Sequence, residues 1–137
     1  MAFAVRRAEY FNATISGEPG EAYQVLSQLA SLGINLLAFT GMPVGLRRTQ
    51  MTLFPEDGSK IMDAARKAGW ALDGPHPALL VQGDDELGAL ARIHGTLQEA
   101  GVSVFASTGV ADGKGSFGYV LYLRSEEFER AVKAMGL

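Results

Sequence analysis

The chain repeats itself, so whatever it folds into must be buildable twice from the same pattern. Ile15 to Gly41, ISGEPGEAYQVLSQLASLGINLLAFTG, lines up with Val81 to Gly109, VQGDDELGALARIHGTLQEAGVSVFASTG. Gly17 faces Gly83, and Gly20 faces Gly88 once a two-residue gap is allowed. Gly33 faces Gly101, and Thr40-Gly41 faces Thr108-Gly109. Downstream, SKIMDAARKAG (Ser59 to Gly69) faces EEFERAVKAMG (Glu126 to Gly136). The match is one of pattern more than identity, and it keeps the same order in both halves.

Each half reads as the same series of elements. Tyr10 to Ser16 and Ala78 to Gln82 are short apolar or β-branched runs, as strands require. Apolar residues then recur at Ala22, Val25, Leu26, Leu29 and Leu32, and at Leu87, Leu90, Ile93, Leu97 and Ala100. That three-and-four spacing gives a helix with one buried face. Gly33 and Gly101 end these helices, where a left-handed cap is cheapest for glycine. INLLAFT and VSVFAST follow as second strands, then TQMTLF (Thr49 to Phe54) and YVLYL (Tyr119 to Leu123) as third strands. Ile61, Ala65 and Ala68, and Phe128, Val132 and Met135, mark a second helix in each half. Trp70 to Asp73 adds a fourth strand to the first half only.

The order β-α-β-β-α-β predicts an α+β chain of two ferredoxin-like repeats, each an antiparallel sheet with helices on one face. A doubly wound parallel sheet fits poorly, because the second and third strands are joined by too few residues for a crossover. Residues 8–74 form the first repeat and 77–137 the second. The second lacks a fourth strand before Leu137. Residues 2–7, with Phe3 and Val5 in alternation, are expected to fill that edge in the same chain or a partner's.

Composition narrows the function. A net charge of −3 and a pI near 5.3 argue against a phosphate-binding surface and hence against nucleic acid. Tyr119 and Tyr122 point to opposite strand faces, so they do not make an RNA-stacking platform. No cysteine is present, which excludes disulfides and thiolate metal sites. His76 reads as an exposed linker residue between Pro75 and Pro77, and His94 as helix surface or interface packing; together they make no metal site. No secretory leader and no apolar run of membrane-spanning length is evident, so a cytoplasmic protein without a membrane role is expected. Asp84, Asp85 and Glu86 are adjacent and cannot form a spaced acid–base pair on a helix face. No nucleophile elbow or Walker sequence appears, and no cofactor is implied.

At the start of the first helix in each half the residues resemble a known family. DELGALARI (Asp85 to Ile93) resembles the opening of an ACT domain, with an acidic residue, two variable positions and glycine before spaced Leu and Ile. GEPGEAYQVLSQLASLGINL (Gly17 to Leu36) is similar, with Pro19-Gly20 in the Pro-Gly place. The resemblance covers almost the whole chain as two copies. It implies a free-standing regulatory protein that is not an enzyme and that binds an amino acid or related small metabolite where two ACT units meet. It further implies a homodimer and an enzyme partner in amino-acid metabolism; the alternative is an interaction module that has lost its ligand and regulates a separate enzyme.

The ligand-binding residues so implied are Asp85, Glu86, Leu87 and Gly88, with Glu18, Pro19 and Gly20 in the first half. Asn35 and Ser103 present polar groups just beyond. Helix-start amides favour a carboxylate, glycine permits close approach, and Asp85 can accept a hydrogen bond from an ammonium group. The competing reading is that Asp84 or Asp85 only caps the helix. The first-half loop is the shorter one and has Gly17 or Ser16 where the acidic residue belongs. Finally, GKGSFG (Gly113 to Gly118) matches a dinucleotide fingerprint, but strands flank it on both sides. Gly109, Gly113, Gly115 and Gly118 are therefore assigned to a turn between strands.

Overall fold

Strand β1, Phe3–Ser16, is far longer than the apolar run that announces it, and helix α1 spans Glu21–Ser31. Then come β2 (Leu36–Pro43), β3 (Arg48–Pro55), α2 (Gly58–Ala68) and β4 (Asp73–Asp84). The chain closes with α3 (Ala89–Glu99), β5 (Val104–Ala111), β6 (Ser116–Leu123) and α4 (Ser125–Ala134). This is a computed structural model, and it describes residues 3–137. Ala2, included in the expected edge segment, lies outside the described residues. The fold is α+β: four helices and an antiparallel sheet in the order β2-β3-β1-β4-β6-β5.

The chain divides into two compact units, Glu9–His76 and residues 3–8 together with Pro77–Leu137. In the first, Phe11 stands opposite Leu53 in the β1–β3 register. Phe11, Leu29, Ile34, Met51, Leu53 and Ile61 form one buried cluster. Its helical members are Leu29 of α1 and Ile61 and Ala64 of α2, each on the apolar stripe of its helix. β2 pairs with β3 through a register shift between Leu36 and Ala38.

In the second unit Leu79 faces Leu121 and Val81 faces Tyr119 across β4 and β6. These residues cluster with Ile93 and Leu97 of α3 and Val132 of α4. Phe3 and Val5 pack against that cluster, and the Phe3 ring meets Phe117 edge-on at 6.0 Å. β5 pairs with β6 with a shift between Val104 and Ala106. Helices α1 and α3 end as anticipated: Gly33 and Gly101 take φ of 73° and 72°. The amides of Ile34 and Val102 reach back to Leu29 and Leu97 carbonyls at 2.9 Å.

Four expectations are corrected. Trp70–Leu72 is not strand; the strand starts at Asp73 and runs through Pro75, His76 and Pro77, which were read as linker. A prolyl residue cannot donate to a ladder, which is why its presence suggested a break. His76 is half-buried, pairs with Asp73 at 2.9 Å, and lies 5.1 Å from the Tyr10 ring. Gly109 and Gly118 belong to β5 and β6, not to the turn between them. Only Gly113 and Gly115 of GKGSFG take positive φ, 75° and 96°.

Candidate functional site

β4 ends at Asp84, opposite Ser116 at the start of β6. The chain then turns sharply. The Asp85 amide donates to the Gly115 carbonyl and the Glu86 amide to the Asp84 carbonyl, each at 2.9 Å. Gly88 closes the turn with φ 85° and serves as the N-cap of α3. That left-handed backbone is why glycine stands here, since a Cβ at Gly88 would meet nothing within 4 Å.

This turn walls a cleft of about 680 Å³. One side is Asp85–Ala91; the other is Gly109, Val110 and Ala111 at the end of β5, with Phe117 beneath. Phe117 is buried, whereas Leu87, Leu90 and Val110 are exposed around the cleft. No side chain caps α3, so neither Asp84 nor Asp85 takes the capping role considered for it. The first-turn amides of Leu90 and Ala91 have no hydrogen-bond partner among the described residues. The Asp85 carboxylate likewise has none, while that of Glu86 accepts from Arg92 at 3.4 Å. The site thus offers free donors at a helix start, a free carboxylate, and an apolar floor.

Asp85, Glu86, Leu87 and Gly88 are brought together by this cleft. Glu18, Pro19, Gly20, Asn35 and Ser103 are not among its lining residues. Gly20 is the left-handed N-cap of α1, with φ 86°. There the Glu21 carboxylate accepts from the Ser16 amide at 3.1 Å and from the Ser16 hydroxyl. The Asn35 carboxamide donates to Glu56 at 2.9 Å, and the Ser103 amide to Glu127 at 3.0 Å. The Asn35 side chain is therefore engaged within the fold, whereas at Ser103 the engaged group is the backbone amide.

Gly109, Val110, Ala111 and Phe117 were missed by sequence reasoning. The repeated Thr-Gly pair had flagged position 109, but as a turn rather than a wall. Beyond the cleft, His94 is half-buried, and its Nε2 lies 2.7 Å from the Tyr119 hydroxyl, which donates to Ser107 Oγ at 2.9 Å. Among the described residues no group of three His, Asp or Glu side chains could hold a metal. No helix of the described residues is long and apolar enough to cross a membrane.

No protein-family model matches the sequence, and no curated protein matches it. Solved structures do. Protein BT0572 from Bacteroides thetaiotaomicron superposes with a TM-score of 0.78 at 17% identity, covering 96% of this chain and 88% of that one. The ligand-free regulatory subunit of aspartate kinase from Thermus thermophilus gives 0.66 at 18% identity, covering 96% and 93%. A structure of aspartokinase alpha and beta subunits gives 0.63 at 17%, covering 98% and 95%. At such identities the likeness speaks for the backbone alone, and the backbone it assigns to this chain is of the ACT type.

Proposed function

We propose that the chain is a regulatory, non-catalytic protein of two ACT-type repeats that binds an amino acid or similar metabolite in the cleft beside Asp85–Gly88. The observation that carries this is the coincidence of three features in one cleft: free amides at Leu90 and Ala91, a free Asp85 carboxylate, and apolar walls. A ligand carboxylate sits at the helix start, where the backbone dipole favours it. Its ammonium faces Asp85. Its side chain meets Phe117, Val110 and Leu90.

The repeat reading is supported by landmarks at constant spacing. Gly20 and Gly88, Leu36 and Val104, and the strand pairs Phe11–Leu53 and Leu79–Leu121 are displaced by the same number of residues. On that register no gap is needed, Ile15 corresponds to Gly83, and Gly17 corresponds to Asp85. The first loop is then as long as the second but lacks the carboxylate, which favours binding at the second loop.

A thermal-shift screen of the amino acids tests the reading. A ligand that binds only the folded chain stabilises it by about 2.7 kcal/mol at a hundred times its dissociation constant. Asp85→Ala should abolish the shift. A flat response to every amino acid would count against it.

A second reading rests on the exposed Leu87, Leu90 and Val110, an apolar rim suited to a protein partner or a second copy. Here the chain regulates a separate enzyme, or pairs as a homodimer, without a ligand. Sedimentation distinguishes them: Leu87→Ser should dissociate a homodimer built on this rim.

A further inference from the structure

The Glu9–His76 unit holds a second cavity, of about 520 Å³, whose lining includes none of residues 17–20. It lies between one face of α1, the end of β1 at Ala13–Ile15, and the non-strand segment Trp70–Leu72. We propose that it binds a small, uncharged, planar heterocycle bearing an amide-type edge, the chemistry shared by nucleobases and related lactams.

Three observations point to that class. The first is the pair of carboxamides: Gln24 and Gln28 are one helical turn apart on α1, both line the cavity, and neither side chain has a hydrogen-bond partner among the described residues. Each offers a donor and an acceptor side by side, the complement of a lactam edge. The second is aromatic surface, from Trp70 and Tyr23; Trp70 also packs partly against the core, and Tyr23 is 75% exposed at the rim. Flat rings stack on such faces in offset or edge-on geometry. The third is charge. The sole ionisable carboxylate lining the cavity, Glu21, is already engaged by Ser16, and no Lys or Arg lines it. An anionic ligand finds no counter-charge there. Thr14 and Ser27 add hydroxyls that can serve either role. The volume falls within the range of small-molecule sites.

Trp70–Leu72, which is not strand, lines the cavity together with Thr14 and Ile15 at the end of β1.

Trp70 is the only tryptophan, so the site carries its own reporter. Uracil and hypoxanthine should quench Trp70 emission saturably after inner-filter correction. Benzoate, which is charged, and cyclohexanecarboxamide, which is not aromatic, should not. Gln24→Leu/Gln28→Leu, which preserves helix propensity, should raise the apparent dissociation constant about tenfold, as the loss of two exposed hydrogen bonds of modest net strength does. Gln24→Glu, which keeps shape, checks the result if the double variant melts early. Non-saturable quenching, equal response to all four probes, or indifference to both variants would overturn the proposal. Asp85→Ala should leave this signal unchanged, so failure here is separable from failure of the amino-acid cleft.

Discussion

The Tyr119 ring lies against Gly109 so closely that a Cβ added at Gly109 would stand 2.8 Å from Tyr119 Cδ1 and 3.3 Å from Cε1. The two residues face each other across β5 and β6. Gly109 lines the candidate cleft, and Tyr119 anchors the hydrogen bonds to His94 and Ser107. Packing at this pair therefore sets the position of the cleft wall. Gly109→Ala should destabilise by about 1–3 kcal/mol, the usual cost of overpacking. In a Tyr119→Ala background the same change should cost much less, and urea denaturation of the four proteins gives the coupling directly.

The N-caps of α1 and α3 make a second prediction. Gly20 and Gly88 sit at φ 86° and 85° with open space around the missing Cβ. Any penalty on substitution is therefore backbone strain and not a clash. Ala at either position should cost about 1–2 kcal/mol, and Asn, which tolerates the left-handed region, should cost less. Equal cost for Ala and Asn, measured by thermal melting, would refute this account.

Burial and surface charge compete in residues 3–8. Phe3 packs against the core cluster and on Phe117, whereas Arg7 forms an exposed ion pair with Glu129 at 2.8 Å. Phe3→Ala should cost about 1–2 kcal/mol, a part of the value of fully burying one aromatic side chain, since Phe3 is partly buried. Glu129→Ala should cost about 0–1 kcal/mol, as exposed pairs do, and less still in high salt. Removing residues 1–6 should lower the melting temperature by many degrees. If that melting curve hardly moves, these residues do not complete the second unit.

Acid stability follows from three carboxylates. Hydrogen bonds from the Ser59 hydroxyl and amide hold Asp57 below the ordinary 3.8. The hydrogen bond and charge of His76 do the same for Asp73, and the amides of Lys114 and Ser116 for Asp112. A carboxyl whose folded pKa is depressed stabilises fully above its unfolded value and loses that contribution as pH falls through the folded value. The melting temperature should thus drop below about pH 4. Asp57 is the N-cap of α2, so Asp57→Asn should keep a cap and flatten part of that acid slope.

Much of this was legible because glycine and apolar spacing are strict signals. Gly33, Gly101, Gly20 and Gly88 marked both ends of α1 and α3, and the stripes named Leu29, Ile93 and Leu97 as buried, whereas Leu32, Leu87 and Leu90, placed on the same stripes, are exposed and Leu87 precedes α3. Pairing was harder to read. Pro75 and Pro77 looked like punctuation, because proline penalises a central strand, yet β4 runs through both. The cleft was half visible: Asp85–Gly88 carry a local motif, whereas Val110 and Phe117 reach it only through the β5–β6 register. Asn35 and Ser103 were placed by position alone, and their engagement with Glu56 and Glu127 depends on elements distant in sequence.

β1 changes allegiance part-way along, between Ala8 and Glu9, and β4 does so between His76 and Pro77. Cutting the chain at its sequence midpoint would accordingly strand a piece of each unit with the wrong fragment. A circular permutant that begins at Glu9 and carries residues 3–8 behind Leu137 through a linker would instead make each unit a single uninterrupted segment, and such a chain could be divided cleanly in two.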